Sequence, residues 1–365
     1  MVEKNLAHQT QLDAATFAAQ KFLSQKGFEF IDGARHGGLA DRQYAGGAAD
    51  AILPRHLNKS AQVTQFYAII IHIIKVIYLA IVRIIHTAID VSLFLYGGLM
   101  QSVKVNSVLL HYQWLPVKKA DAIVVFCNPL GTDLRIWDEV KSKLGPNVST
   151  LVYDTRGHGL SELRTVPHSI DDHANDLLKL MDHLKIKRPI LCGLSIGGVI
   201  VQRAASLRPR SVSALILCDT APKIGTAETW TQRIATVKQD GLESILDATM
   251  ARWFTPQFRN PNNPTFVLAK NIFRQQRAAG YLADCAVLRD TDLSAPTAKL
   301  KMPALCIVGD QDQTTTPDMM RDLTNSMRNA SFKMIADCGH VPCLEKPKML
   351  ASAITQFLKS LPTRK

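Results

Sequence analysis

The sequence predicts an α/β fold: a mostly parallel, doubly wound sheet with an all-helical lid, preceded by a helical N-terminal extension. Three observations carry this prediction. Short apolar runs recur at 122–127, 150–153, 189–192, 214–218, 304–308 and 331–335, separated by helical stretches. That alternation gives parallel strands covered on both faces. The run ending at Cys192 passes through Gly193-Leu194-Ser195-Ile196-Gly197 into a helical opening, Gly198-Val199-Ile200-Val201. Finally, residues from about 223 to 299 show amphipathic helices without strands, an insertion between two sheet strands that would lie over a site.

Residues 1–60 are polar, alanine-rich and dotted with glycine, with one candidate helix over 12–23. No Arg-rich stretch leads directly into an apolar run there, so a cleaved secretory signal is not expected. No chemistry is assigned to this extension. Residues 61–100 differ sharply. From Phe66 to Met100 the segment is nearly membrane-grade in apolar content, interrupted by His72, Lys75, Arg83, His86 and Asp90. At about 100° per residue these five share an arc of roughly 80°. The narrow polar stripe fits three structures. They are an interfacial helix on a membrane surface, a spanning helix facing a partner, and a core helix packed on protein. Charges near the middle argue against a simple span. Gly97-Gly98 closes the segment, and the α/β domain is expected over 101–365.

The domain opens with a hairpin over 103–114, with Asn106-Ser107 at its tip, and a second turn follows at Lys118-Lys119-Ala120-Asp121. The buried run 122–127 feeds the small-residue loop Asn128-Pro129-Leu130-Gly131. The strand at 150–153 leads into Asp154-Thr155-Arg156-Gly157-His158-Gly159, read as a structural loop. A helix over 169–184 takes Ser169 as N-cap and Asp171-Asp172 in its first turn. His173 and His183 are placed in polar surroundings on that helix. No second ligand lies four residues from either, so no metal site is expected.

Gly-x-Ser-x-Gly between a strand and a helix is a nucleophile elbow, with Ser195 at its tip. Its two partners should follow as an acid and then a histidine, at strand ends. Asp312 is chosen as acid because it lies in the loop beyond the strand; Asp310 is the alternative. His340, in Asp337-Cys338-Gly339-His340, is the base.

The net charge of +12 is compatible with an anionic membrane face, nucleic acid or acidic substrates. No zinc-finger spacing, RNA-recognition signature or long basic run is present, so no nucleic-acid partner is expected. The seven cysteines are scattered, several within apolar runs, and a reducing compartment, the cytoplasm, fits them best.

Five segments carry a resemblance: NPLGTDLRIW (128–137), YDTRGHGLSE (153–162), CGLSIGG (192–198), TAPKIGTAETW (220–230) and CGHVPCLE (338–345). Together they resemble 3-oxoadipate enol-lactonases, α/β-hydrolases of aromatic-compound degradation. The sequence departs from them at Asn128-Pro129, where Asn-Ser is expected, and in the apolar segment before residue 100. The resemblance implies a cofactor-free serine esterase acting on a small carboxylated lactone, with Ser195, Asp312 and His340 as the triad. The backbone N–H groups of Leu130 and Ile196 would form the oxyanion hole. Arg135 is the first candidate to hold the substrate carboxylate, with Arg252 and Arg289 behind it, and Trp137 and Trp253 are candidate apolar walls. Two rival readings stand: a membrane-associated carboxylesterase or lipase acting on an amphiphilic ester, and a catalytically silent scaffold. The oligomeric state is left open.

Overall fold

A computed structural model of the chain describes His72, residues 100–164 and residues 167–362. The chain divides into two units, Met1–Ile89 and Asp90–Lys365. The N-terminal extension and most of the segment from Phe66 to Met100 lie outside the described residues, apart from helical, exposed His72 and Met100 itself. Among the described residues, no helix is long and apolar enough to cross a membrane.

The second unit is built on an eight-stranded sheet in the order β1-β2-β4-β3-β5-β6-β7-β8. β1 (Gln101–Val105) and β2 (Val108–Leu115) form the opening hairpin. Asn106 and Ser107 both take positive φ, 46° and 63°, so the tip is a two-residue turn whose twist matches that of its strands. β2 also runs antiparallel to β4 (Val148–Tyr153). From β4 onward every pairing is parallel, through β3 (Ala122–Cys127), β5 (Ile190–Leu194), β6 (Ala214–Cys218), β7 (Ala304–Gly309) and β8 (Ala330–Ile335). Every residue of β5, β6 and β7 is buried, as continuous apolar strands covered on both faces must be.

The short helix α1 spans Asp138–Lys141, and α2 spans Ile170–His183. At the start of α2 the Ser169 side chain accepts from the Asp172 N–H while the Asp172 carboxylate accepts from the Ser169 N–H, a reciprocal cap. α2 packs on α3 (Ile196–Leu207), the helix that follows the elbow. Between β6 and β7 come five helices: α4 (Ala227–Asp240), α5 (Leu246–Trp253), α6 (Pro264–Arg274), α7 (Ala278–Asp290) and α8 (Ser294–Ala298). α4 packs on α7 and α5 on α6, so the insertion carries its own contacts. α9 (Pro317–Ser326), α10 (Pro342–Glu345) and α11 (Pro347–Ser360) complete the chain.

Two expectations need correction. Trp137 lies in the core, fully buried with its ring 4.7 Å from that of Phe126, and is not a wall of a cleft. His173 is not in polar surroundings; it is buried and faces Asp284 of α7. All seven cysteines are buried and free, as small hydrophobes.

Candidate active site

Ser195 sits at the junction of β5 and α3 with φ 55° and ψ −121°, a conformation L-residues rarely adopt. Crowding explains the glycines on either side. A Cβ on Gly193 would meet the Gly197 carbonyl oxygen at 2.2 Å, and one on Gly197 would meet the Cys127 carbonyl oxygen at 2.2 Å. The bend is therefore pressed between its own helix and the end of β3. The first N–H groups of α3, that of Ile196 foremost, have no partner within the helix and carry its positive dipole end. Thr220 Oγ1 donates to the Ser195 carbonyl at 2.7 Å and fixes the tip from the end of β6.

His340 lies in the loop after β8 and is 2% exposed. Its Nδ1 is 2.8 Å from Asp312 Oδ2, in the loop after β7. Asp312 is held in turn: the N–H groups of Thr314 and Thr315 reach Oδ1 at 2.7 and 3.2 Å, and Thr315 Oγ1 donates to Oδ2 at 2.7 Å. Burial works against ionisation of Asp312, but His340 and the hydrogen bonds from His340, Thr315 and Thr314 outweigh it. The carboxyl is held below its ordinary range. Asp310 is turned elsewhere, accepting the Cys338 N–H at 3.0 Å. The His340 loop is anchored by Glu345, whose Oε2 accepts the Gly339 N–H at 2.8 Å and whose Oε1 accepts the Thr255 N–H at 3.1 Å.

A third acid, absent from the sequence-based expectation, joins this group. Asp219, at the end of β6, has a carboxylate oxygen within 4.8 Å of the His340 and Asp312 donor atoms. Its Oδ1 accepts the Gly309 N–H at 2.9 Å, and its Oδ2 is buried with no hydrogen-bond partner. Burial first, and the Asp312 charge second, push its pKa well above the usual carboxylate range.

Leu130 borders the same cleft as Ser195. Its loop is fixed from several sides. Asn128 Nδ2 donates to the Tyr153 carbonyl at 2.9 Å, and Asn128 Oδ1 accepts from Trp137 Nε1 at 2.8 Å. The Gly131 N–H donates to His158 Nε2 at 3.1 Å, so His158 braces this loop from the Asp154–Gly159 turn. Such hydrogen bonds are read from the folded arrangement; nothing in a lone histidine on a glycine-rich loop signals them.

The cleft has a volume of about 490 Å³ and is bordered by Ser195, Leu130, Trp230, Arg233, Arg252 and Trp253, among others. Trp253 is thus placed where the sequence expected a wall. Arg135 is not brought to the cleft. Its side chain is half exposed, chelated by Asp133 at 2.9 and 2.7 Å and bonded to Gln275 at 2.9 Å. Arg289 is likewise engaged, with adjacent Asp290. The cleft cations are Arg252 and Arg233. Arg233 donates to the Tyr281 hydroxyl and to Thr249 Oγ1, both at 2.7 Å. Among the described residues no carboxylate pairs with either guanidinium. Partial burial first, and the like charge of Arg233 second, lower the pKa of Arg252. Two adjacent cations without a counter-ion favour an incoming anion.

The sequence profile of the alpha/beta hydrolase fold matches residues 122–347. The chain is 30% identical over 236 residues to 3-oxoadipate enol-lactonase 2 of Acinetobacter baylyi, covering 65% of this chain and 88% of that one. It is 27% identical over 238 residues to 3-oxoadipate enol-lactonase 1 of the same organism, covering 65% and 89%. The crystal structure of the enol-lactonase from Burkholderia xenovorans LB400 superposes with a TM-score of 0.69 at 31% identity, covering 71% of this chain and 100% of that one. With a profile match across most of the sheet and the lid, this chain belongs to the α/β-hydrolase family.

Proposed function

We propose that the chain hydrolyses a small carboxylated lactone, 3-oxoadipate enol-lactone or a close relative of it, in the breakdown of aromatic compounds. Ser195 Oγ attacks the lactone carbonyl while His340 Nε2 takes its proton. Asp312 holds the His340 tautomer that leaves Nε2 free, and stabilises the imidazolium that forms. The backbone N–H groups of Ile196 and Leu130 meet the oxyanion, each donor being worth about 3 kcal/mol in the transition state. The ring C–O bond then breaks, the enolate oxygen takes the proton from His340, and the enol later tautomerises to the ketone. Water, with His340 as base, cleaves the acyl-enzyme to the second carboxylate and frees Ser195. No step needs a cofactor.

The observation that carries this reading is the pairing, in one cleft, of the elbow serine with two guanidiniums that lack a carboxylate partner. A neutral ester would leave both cations unmatched; a substrate carboxylate answers them. The relatives that are enol-lactonases support the same choice.

The test is parallel turnover of 3-oxoadipate enol-lactone and a short-chain aryl ester by the purified full-length protein, with Ser195→Ala as control. Faster lactone turnover, abolished by Ser195→Ala, is expected. Brisk ester cleavage with negligible lactone turnover would replace the substrate assignment by a carboxylesterase. Turnover retained in Ser195→Ala would overturn the mechanism.

A further inference from the structure

Among the described residues, a second group of buried titratable side chains lies where the lid meets the sheet domain. His168 Nε2 and His173 Nε2 both lie 2.8 Å from Asp284 Oδ1. All three side chains are 1% exposed. The residues come from separate places: His168 precedes α2, His173 is in its first turn, and Asp284 is in α7 of the lid. The second carboxylate oxygen, Asp284 Oδ2, is buried without a hydrogen-bond partner. His158 Nδ1 stands 3.5 Å from it, too far for a normal hydrogen bond.

We propose that His168, His173 and Asp284 bind a divalent transition ion of the zinc class, as a clamp between the lid and the sheet domain. Two imidazoles and a carboxylate are a common ligand set for such ions. The donor atoms of the three residues already lie within 4.8 Å of one another. Bonds of about 2.0–2.2 Å in tetrahedral geometry put donor atoms roughly 3.3 Å apart, so small outward shifts seat the ion. The unpartnered Oδ2 leaves no hydrogen bond to be broken as the carboxylate turns toward the ion.

His158 is not a ligand in this arrangement. Its Nε2 accepts the Gly131 N–H, which leaves its proton on Nδ1, facing Asp284. At 3.5 Å it lies behind the carboxylate as an electrostatic neighbour and not as a hydrogen-bond partner. Through that histidine the ion is linked to the loop that carries Leu130. A surface cleft of about 380 Å³, bordered by His168, Ser169, Val287 and Thr291 among others, offers an entry path. This inference departs from the sequence-based expectation of no metal site, and it does not depend on which ester or lactone the chain hydrolyses.

The test strips the full-length protein with a chelator, then titrates it with Co²⁺ and, separately, with Zn²⁺. About one equivalent should bind, with the intense visible absorption of low-coordinate Co²⁺ and a higher melting temperature. His168→Gln and Asp284→Asn should each reduce uptake to below about a tenth of an equivalent. His340→Gln should leave it intact, which separates this cluster from Asp219, Asp312 and His340. Absence of stoichiometric uptake by the native chain would refute the site whatever the variants do. Uptake lost in His340→Gln and kept in Asp284→Asn would refute it too, by placing the ion in the catalytic cleft. If His168→Gln fails to fold, Asp284→Asn, which keeps the side-chain shape, decides the location.

Discussion

Arg252→Gln is the most direct probe of how the cleft reads charge. The residue borders the cleft and remains exposed there, so a substrate can reach its guanidinium. A hydrogen bond to a charged group is worth about 1.5–3 kcal/mol. Solvent at an exposed position screens that interaction, which puts the loss at the low end. Arg233 stays in place, held by Tyr281 and Thr249, and keeps part of the attraction. A loss near 1.4 kcal/mol is a factor of about ten. The expected result is a roughly tenfold fall in kcat/KM for a carboxylated enol lactone and less than about a twofold change for a neutral lactone of the same ring size. Folding should not suffer, because the substitution removes a cation placed beside another cation. The assay is steady-state hydrolysis of both lactones followed by ultraviolet absorbance, with melting temperatures measured alongside. An equal loss on both lactones would show that Arg252 shapes the cleft and does not read charge. No loss on the charged one would remove it from recognition altogether.

Further outcomes follow from the same geometry. Asp312→Asn should lower kcat by about 10⁴, because the amide favours the wrong His340 tautomer, whereas Asp310→Asn should cost far less; steady-state rates of the two variants decide between the acids. Asp219 keeps its proton in the folded chain at pH values where the unfolded chain has released it. Folding thus binds a proton, and stability falls as pH rises from the ordinary carboxylate range, about 4, toward the raised folded value. Asp219→Asn removes that dependence, and its melting temperature should decline less than the native one between pH 5 and pH 8. Gly280→Ala would bring a Cβ to 2.1 Å from the Gly157 carbonyl oxygen. Overpacking of about 1–3 kcal/mol exceeds the roughly 1 kcal/mol gained in helix propensity, so calorimetry should show a lower melting temperature.

The scaffold was legible because its signals are local. Six apolar runs, a Gly-x-Ser-x-Gly turn and a long stretch without strand period translate directly into strands, elbow and lid. The pairing of His340 with Asp312 rather than Asp310 follows from position: Asp312 stands in the loop beyond β7, while Asp310 is close enough to the strand end to tie that loop to Cys338. What the sequence hid depends on which way helices face after packing. Arg135 stands next to the oxyanion loop in sequence, but Asp133, two residues away, captures its guanidinium. That local pairing was there to be read. Arg233 gave no such cue, since only the packing of α4 on α7 turns it toward Tyr281. Trp137 was drawn inward by Asn128 and Phe126. The histidine cluster joins residues 111 and 116 apart in sequence, so a search for ligands four residues apart passes over it.

The pair of guanidiniums also bears on how a turnover would end. Opening a carboxylated lactone yields a dianion where a monoanion entered. Whatever attracts the substrate's one carboxylate attracts the product's two at least as strongly. On the proposed reaction, Arg233 and Arg252 hold the product dianion in the cleft, so that it competes with incoming lactone. Progress curves should then bend well before the lactone is exhausted, and added dicarboxylate product should reproduce the bend at the outset. Strictly linear curves to high conversion would mean that the cleft lets its dianion go freely.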